Sequence, residues 1–329
     1  MKYPLPDLAT LNREIRDGAP GLAIGGVVPG ARALVMAALA EHGWPTDLTL
    51  VVVPRTRDAE DLTAGLGLLA PDLRVGLAPA EFAGPYLGTE PSLAARLQTV
   101  DLLRRMSDGV VDLVVVPARV LGSPMPVPRA ISRATLRVHV GHVVNLEAMA
   151  AKLSVGGYRR VDLVEEAGDF AIRGWVVDIH PGGEKGVRLQ LDDERVESIR
   201  SFDPTSQRSS DEQIEELSLL PIDVFPAEPQ VLAEISAHLE SEYPALAFQM
   251  AAGAERRLWW GALHLGSEST SWLDLAKYVV VCDRDEVTGA LARWWQVQDR
   301  EWRTLSERAV EIPPPDRLLS NPKNLGPSI

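Results

Sequence analysis

The 329-residue sequence predicts an α/β protein of split build, with α/β segments at both ends and a small α+β domain inserted between them. Three observations carry this. Aliphatic runs alternate with helical periodicity over the first third, the pattern of a parallel sheet covered by helices. A Pro- and Gly-rich stretch from Pro117 to Arg129 then breaks that pattern. Short alternating strands punctuated by Gly follow, before the α/β pattern returns near Leu217. The boundaries so drawn are 1–128, 129–215 and 216–329, and a chain of this length exceeds what one hydrophobic core usually organises.

In the first segment, Leu22 to Ile24, Leu48 to Val53, Leu73 to Val75 and Val110 to Val116 read as buried strands. Ala31 to His42, Asp58 to Leu69 and Ser92 to Met106 carry apolar residues at helical spacing. The insert opens on a helix from Asn145 to Leu153. It continues as strands RRVDLV, DFAIR, WVVDIH, VRLQL and VESIRSF between Arg159 and Phe202, with Pro181 to Gly186 as a hairpin loop. The last segment reads as a short strand SLLPIDV, a helix from Pro229 to Tyr243, a strand from Tyr278 to Cys282 and a long helix from Glu286 to Arg308. A loosely held tail is expected from Pro313.

Composition excludes several functions. The net charge of -13 opposes general attraction to nucleic acid. No apolar stretch reaches the roughly 20 residues of a membrane span. The first residues lack a signal-peptide layout, and the single cysteine, Cys282, makes no internal disulfide, so the expected setting is the cytoplasm. Six scattered histidines form no metal-ligand spacing. His139 and His142 flank a glycine with no nucleophile marked nearby, and Asp211, Glu212, Glu215 and Glu216 read as a solvated run. Six of the eight tryptophans follow Leu258. On the last helix Val287, Leu291, Trp294 or Trp295, Trp302 and Leu305 trace one face, so core packing is read ahead of a nucleic-acid stacking platform.

Gly25 and Gly30 have the spacing of a phosphate-binding loop between a strand and a helix. That loop needs a lysine to reach the β- and γ-phosphates and a hydroxyl to hold magnesium. Ala31 stands in the lysine position and Arg32 in the hydroxyl position. The strand from Tyr278 ends in Asp283, the place of a magnesium-holding acid, but Arg284 replaces the water-activating glutamate. The pieces read as a P-loop NTPase-like half that has lost its chemistry.

The runs GYRRVD (157–162), GDFAIRG (168–174), VDIHP (177–181), VESIRSFDP (196–204) and QRS (207–209) resemble the UvrB-homology module of the bacterial transcription-repair coupling factor, Mfd. The resemblance implies a split UvrB-like α/β domain with a degenerate nucleotide site and an inserted domain that binds UvrA. It further implies no cofactor for this chain, with ATP and magnesium confined to motor domains elsewhere in the family protein. RNA polymerase and DNA are likewise engaged through other regions, and no membrane is involved. The residues that face UvrA in the family, two arginines and an aromatic, fall on Arg173, Arg188 and Asp192, so the aromatic is missing. His180 stands where the family has Phe. Alternation in VRLQL puts Arg188 on the outer face, and a buried Ile172 puts Arg173 there too, which predicts two solvated guanidiniums on neighbouring strands. The rival function is the motor half of an ATP-dependent DNA translocase or helicase of the UvrB type, which Ala31, Arg32 and Arg284 oppose.

Overall fold

The computed structural model describes residues 10, 13, 24–41, 43–81, 84–86, 91–226, 228–251, 269–307 and 312–322. In chain order the main elements are α1 (Arg32–Glu41), β1 (Thr49–Val53), α2 (Thr56–Leu69), β2 (Val75–Leu77), α3 (Leu93–Ser107), β3 (Leu113–Pro117), α4 (Ala118–Leu121), α5 (Pro128–Ala134), β4 (Leu136–His139), α6 (Leu146–Val155) and β5 (Arg159–Arg160). There follow β6 (Asp169–Arg173), β7 (Val176–Ile179), β8 (Gly186–Asp192), β9 (Arg195–Phe202), β10 (Ser209–Gln213), β11 (Glu216–Leu219), α7 (Pro229–Glu242), α8 (Pro244–Ala251), β12 (Tyr278–Val281) and α9 (Arg284–Ser306). They fall into two compact units. The first comprises Met1–Leu87, Asp108–Pro124 and Thr270–Ile329, and the second Gly88–Ser107 and Met125–Ser269.

The first unit holds a four-stranded, wholly parallel sheet in the order β12-β1-β3-β2. β1 and β3 are completely buried, as continuous aliphatic runs in a helix-covered parallel sheet should be. Met36 of α1 and Ala59, Leu62 and Leu66 of α2 pack on Val51, Val53, Leu113 and Val115. β2 and β3 begin two to three residues later than the apolar runs suggest. Asp112 explains the late start of β3: it accepts bonds from the Arg74 backbone N–H (2.8 Å) and Nε (3.0 Å), clamping the two loops before the strands begin. The expected first strand, Leu22 to Ile24, lies largely outside the described residues, and Ile24 itself is irregular.

On α9 the buried face is Val287, Leu291, Trp294 and Gln298, so Trp294 rather than Trp295 is the core residue. Trp259 and Trp260 lie outside the described residues. The tail beyond Ile312 is held firmly as far as it is described, contrary to the expectation from its composition. Tyr86 donates to the Pro313 carbonyl (2.6 Å), Trp302 Nε1 donates to the Ile312 carbonyl (3.2 Å), and Leu318 and Leu319 are buried. A composition rich in Pro and Asn carries no sign of these two partners. Gly122 lies under the Trp294 ring with the Ser320 carbonyl nearby, and a Cβ there would overlap the indole. Gly122→Ala is expected to cost about 2 kcal/mol by overpacking, read as a lower urea midpoint at unchanged slope.

The second unit is built on a six-stranded sheet, β10-β9-β8-β7-β6-β5, antiparallel except for the β5–β6 pair. Phe170, Val177, Ile179, Leu189, Leu191 and Ile199 point to one face and pack against Met149 and Leu153 of α6. Asn145 caps that helix by accepting from the Ala148 N–H (2.8 Å). DFAIR, VRLQL and VESIRSF form strands as expected, VRLQL with regular alternation and VESIRSF with a register shift between Val196 and Ser198, whereas RRVDLV forms only the two residues of β5 and then turns. The acidic run at 211–216 is partly strand: β10 is an exposed edge strand, and β11 pairs with β4.

That last pairing shows why the sequence boundary at 216 differs from the spatial one. β11 closes the same cluster as Leu136 and Val138, and the chain leaves the second unit only at 269. In the same way α3, whose helical pattern follows the first strands, places Leu93 and Leu97 against the core of the second unit.

Candidate functional site

Two constellations follow from these elements, one in each unit. In the first unit, α1 is preceded by a 3-10 turn from Pro29 to Ala31. The Ala31 N–H is bonded to the Val28 carbonyl (2.9 Å) and the Arg32 N–H to the Pro29 carbonyl. A phosphate cradle works by leaving such amides free at a helix start; here both are used within the turn. Gly25 and Gly30 are exposed, with open space around them.

Arg32 folds back from the start of α1, is only 7% exposed, and pairs with the carboxylate of Asp283. The two positions that the sequence reads as the remnants of the nucleotide site are therefore in direct contact, 251 residues apart in the chain. Asp283 sits at the carboxyl end of β12 with φ 56, a left-handed conformation that turns the chain into α9. Arg284 is the first residue of that helix. The guanidinium of Arg32 thus engages Asp283, the residue that the sequence reads as standing in the place of a magnesium-holding acid. Cys282, beside it, is half-buried, and burial raises its thiol pKa against a smaller opposing effect of Arg32.

In the second unit, the outer face of the six-stranded sheet carries Arg173 on β6, Asp178 on β7 and Arg188 on β8. Register places Asp178 directly opposite Arg188, and Arg173 opposite Val176. Asp178 is completely buried and lies between the two arginines. Arg188 donates twice to it, from Nε (2.6 Å) and Nη2 (3.0 Å), and Arg173 donates once through Nη2. Arg188 also donates through Nη1 to the Gln207 carbonyl (3.1 Å) and lies 4.8 Å over the centre of the Phe202 ring.

The structure therefore corrects the expectation of two solvated guanidiniums. Both arginines are on the outer face, as alternation requires, but Arg188 is only 22% exposed and is held from three sides. Arg173, at 45% exposed, keeps most of its donors open. Asp192, at the last position of β8, is exposed. His180 is buried at the end of β7, where burial lowers its pKa against the opposing charge of Asp169. Asp178 was not singled out from the sequence, although a lone acid in the aliphatic run VVDI is the signal that could have found it. His139 and His142 stack, with ring centres 4.8 Å apart, and among the described residues no group of three or more metal-ligating side chains occurs. No described helix is long and apolar enough to cross a membrane.

The family model of the UvrB interaction domain matches residues 136–225, which contain the whole of the arginine–aspartate constellation. The chain is 29% identical over 231 residues to the transcription-repair-coupling factor of Bacillus subtilis, a match that takes in 69% of this chain and 19% of that protein. It is 32% identical over 209 residues to the factor of Haemophilus influenzae and 30% identical over 210 to that of Escherichia coli, in each case 62% of this chain and 18% of the relative. The chain thus matches about a fifth of the length of these curated relatives.

Proposed function

Starting from a chain homologous to the transcription-repair coupling factors and carrying a UvrB interaction domain, we propose that it is a non-catalytic module that recruits UvrA. In the full-length family protein this would link a stalled RNA polymerase to nucleotide excision repair, with polymerase and DNA engaged through other regions. The observation that carries the reading is the arginine pair on the outer face of the matched domain. Arg173 and Arg188 are brought to one place by a shared buried carboxylate; Arg188 is taken up by Asp178 and the Gln207 carbonyl, so Arg173 is the oriented guanidinium that this surface presents to a partner, on a chain that is net acidic. Oriented guanidiniums suit bidentate bonds to carboxylates of a partner.

The absence of catalysis in the proposal rests on the first unit. A nucleotide would have to break the Arg32–Asp283 pair and the 3-10 turn before any amide or acid became available to phosphate or magnesium. No cofactor is therefore proposed. The test has two arms on the full chain: capture on immobilised UvrA, and calorimetric titration with magnesium-ATP together with a phosphate-release assay. Retention by UvrA with no heat of nucleotide binding and no turnover is the expected result. Magnesium-dependent turnover by this chain would overturn the non-catalytic reading, and failure of UvrA to retain it would overturn the recruiting one.

A further inference from the structure

The turn between β6 and β7 consists of Gly174, with φ 58, and Trp175. Trp175 is 48% exposed, and it is the one exposed aromatic side chain among the described residues. Its backbone is fixed: the carbonyl accepts from the Leu191 N–H (2.8 Å), which ties the turn to the end of β8. The pairing register therefore gathers Arg173, Trp175, Gln190 and Asp192 at one end of the sheet, with Arg188 two residues further along β8. The other large aromatics of this unit whose side chains are described, Tyr158, Phe170, Phe202, Phe225 and Tyr243, are buried or half-buried. The indole stands on a backbone fixed at its carbonyl and leaves apolar area open to solvent.

We infer that Trp175 is the aromatic anchor of the partner surface, standing in for the aromatic that is absent at Asp192. The inference rests on the UvrA reading above and adds the residue that would dominate the contact. Interfaces concentrate their energy in Trp, Tyr and Arg packed together near the centre, and Arg173 and Trp175 flank a single glycine in a turn with a fixed backbone. The partner it fits is a protein surface with an apolar pocket beside carboxylates, the pocket for the indole and the acids for Arg173. Asp192 then lies at the rim, where an acid is tolerated.

The test is a set of dissociation constants between UvrA and the full chain, its Trp175→Ala and Trp175→Phe variants, and Arg173→Ala. Trp175→Ala is expected to weaken the complex at least about thirty-fold, with Trp175→Phe recovering most of the loss and the thermal midpoint unchanged in both. If Trp175→Ala binds as the parent does while Arg173→Ala is weakened, the anchor is overturned and the UvrA reading stands. If the parent does not bind UvrA, both fall.

Discussion

Arg188→Ala is expected to lower the stability of the second unit by about 3 kcal/mol, more than any surface arginine should cost. The reason is Asp178. Its carboxylate is completely buried, and Arg188 supplies two of its three arginine bonds. Removing Arg188 leaves a buried charge with Arg173 alone, which is partly exposed and makes a single bond. Removing both partners leaves no orphan: Asp178→Val with Arg188→Val is expected to recover most of the loss. Urea denaturation read through the amides of the six-stranded sheet by hydrogen exchange would measure both. An Arg188→Ala variant within about 0.5 kcal/mol of the parent, the range of neutral surface changes, would show that the carboxylate does not depend on this partner.

The second large effect is expected in the first unit. Asp283→Ala should destabilise it by about 2 kcal/mol, because Arg32 is buried and would lose its counter-charge. The figure is below that for a fully buried pair because the Asp283 side chain is 41% exposed and water can reach part of the site. Asp283→Asn, which keeps an acceptor, should recover part of the loss. The outcome separates two roles of the same acid. A carboxylate that holds magnesium for a motor can be removed with loss of turnover and little loss of fold, whereas one that neutralises Arg32 cannot be removed without loss of fold. Thermal unfolding of the variant with and without magnesium-ATP distinguishes them: a lowered midpoint that nucleotide does not restore is expected.

Much of the architecture is legible in the sequence because it rests on local periodicity. The buried runs of β1 and β3 are continuous because both faces are covered, and the alternation of Val187, Arg188, Leu189, Gln190 and Leu191 assigns each side chain to the correct face. What alternation does not supply is the content of the outer face. Asp178 reaches Arg188 through the pairing of β7 with β8, and whether that face is solvated depends on what the neighbouring strands bring to it. The Arg32–Asp283 contact is hidden for a related reason. Each residue was singled out as a defect in its own motif, and only the parallel β1–β12 pairing, which carries Asp283 to the level of α1, makes one defect the partner of the other. The sequence bound at 216 differs from the end of the compact unit because β11 resembles the start of a new α/β segment, while its antiparallel partner β4 lies about 80 residues earlier, beyond the reach of a local pattern. Trp175 is not legible as a surface residue in the sequence, because its exposure follows from its place in the two-residue turn between β6 and β7, and that turn is set by strand pairing.

Arg173 gives the cleanest probe of the central claim. Its side chain is the more exposed of the pair, and Arg188 keeps Asp178 bonded twice in its absence, so its removal should leave the fold intact. The decisive measurement is the calorimetric dissociation constant of UvrA for the full chain and for Arg173→Ala, with circular dichroism on both. The account predicts a measurable complex that is weakened at least about tenfold by Arg173→Ala at an unchanged spectrum, the scale of losing hydrogen bonds to a charged group. Equal affinity for UvrA in the two proteins would contradict it.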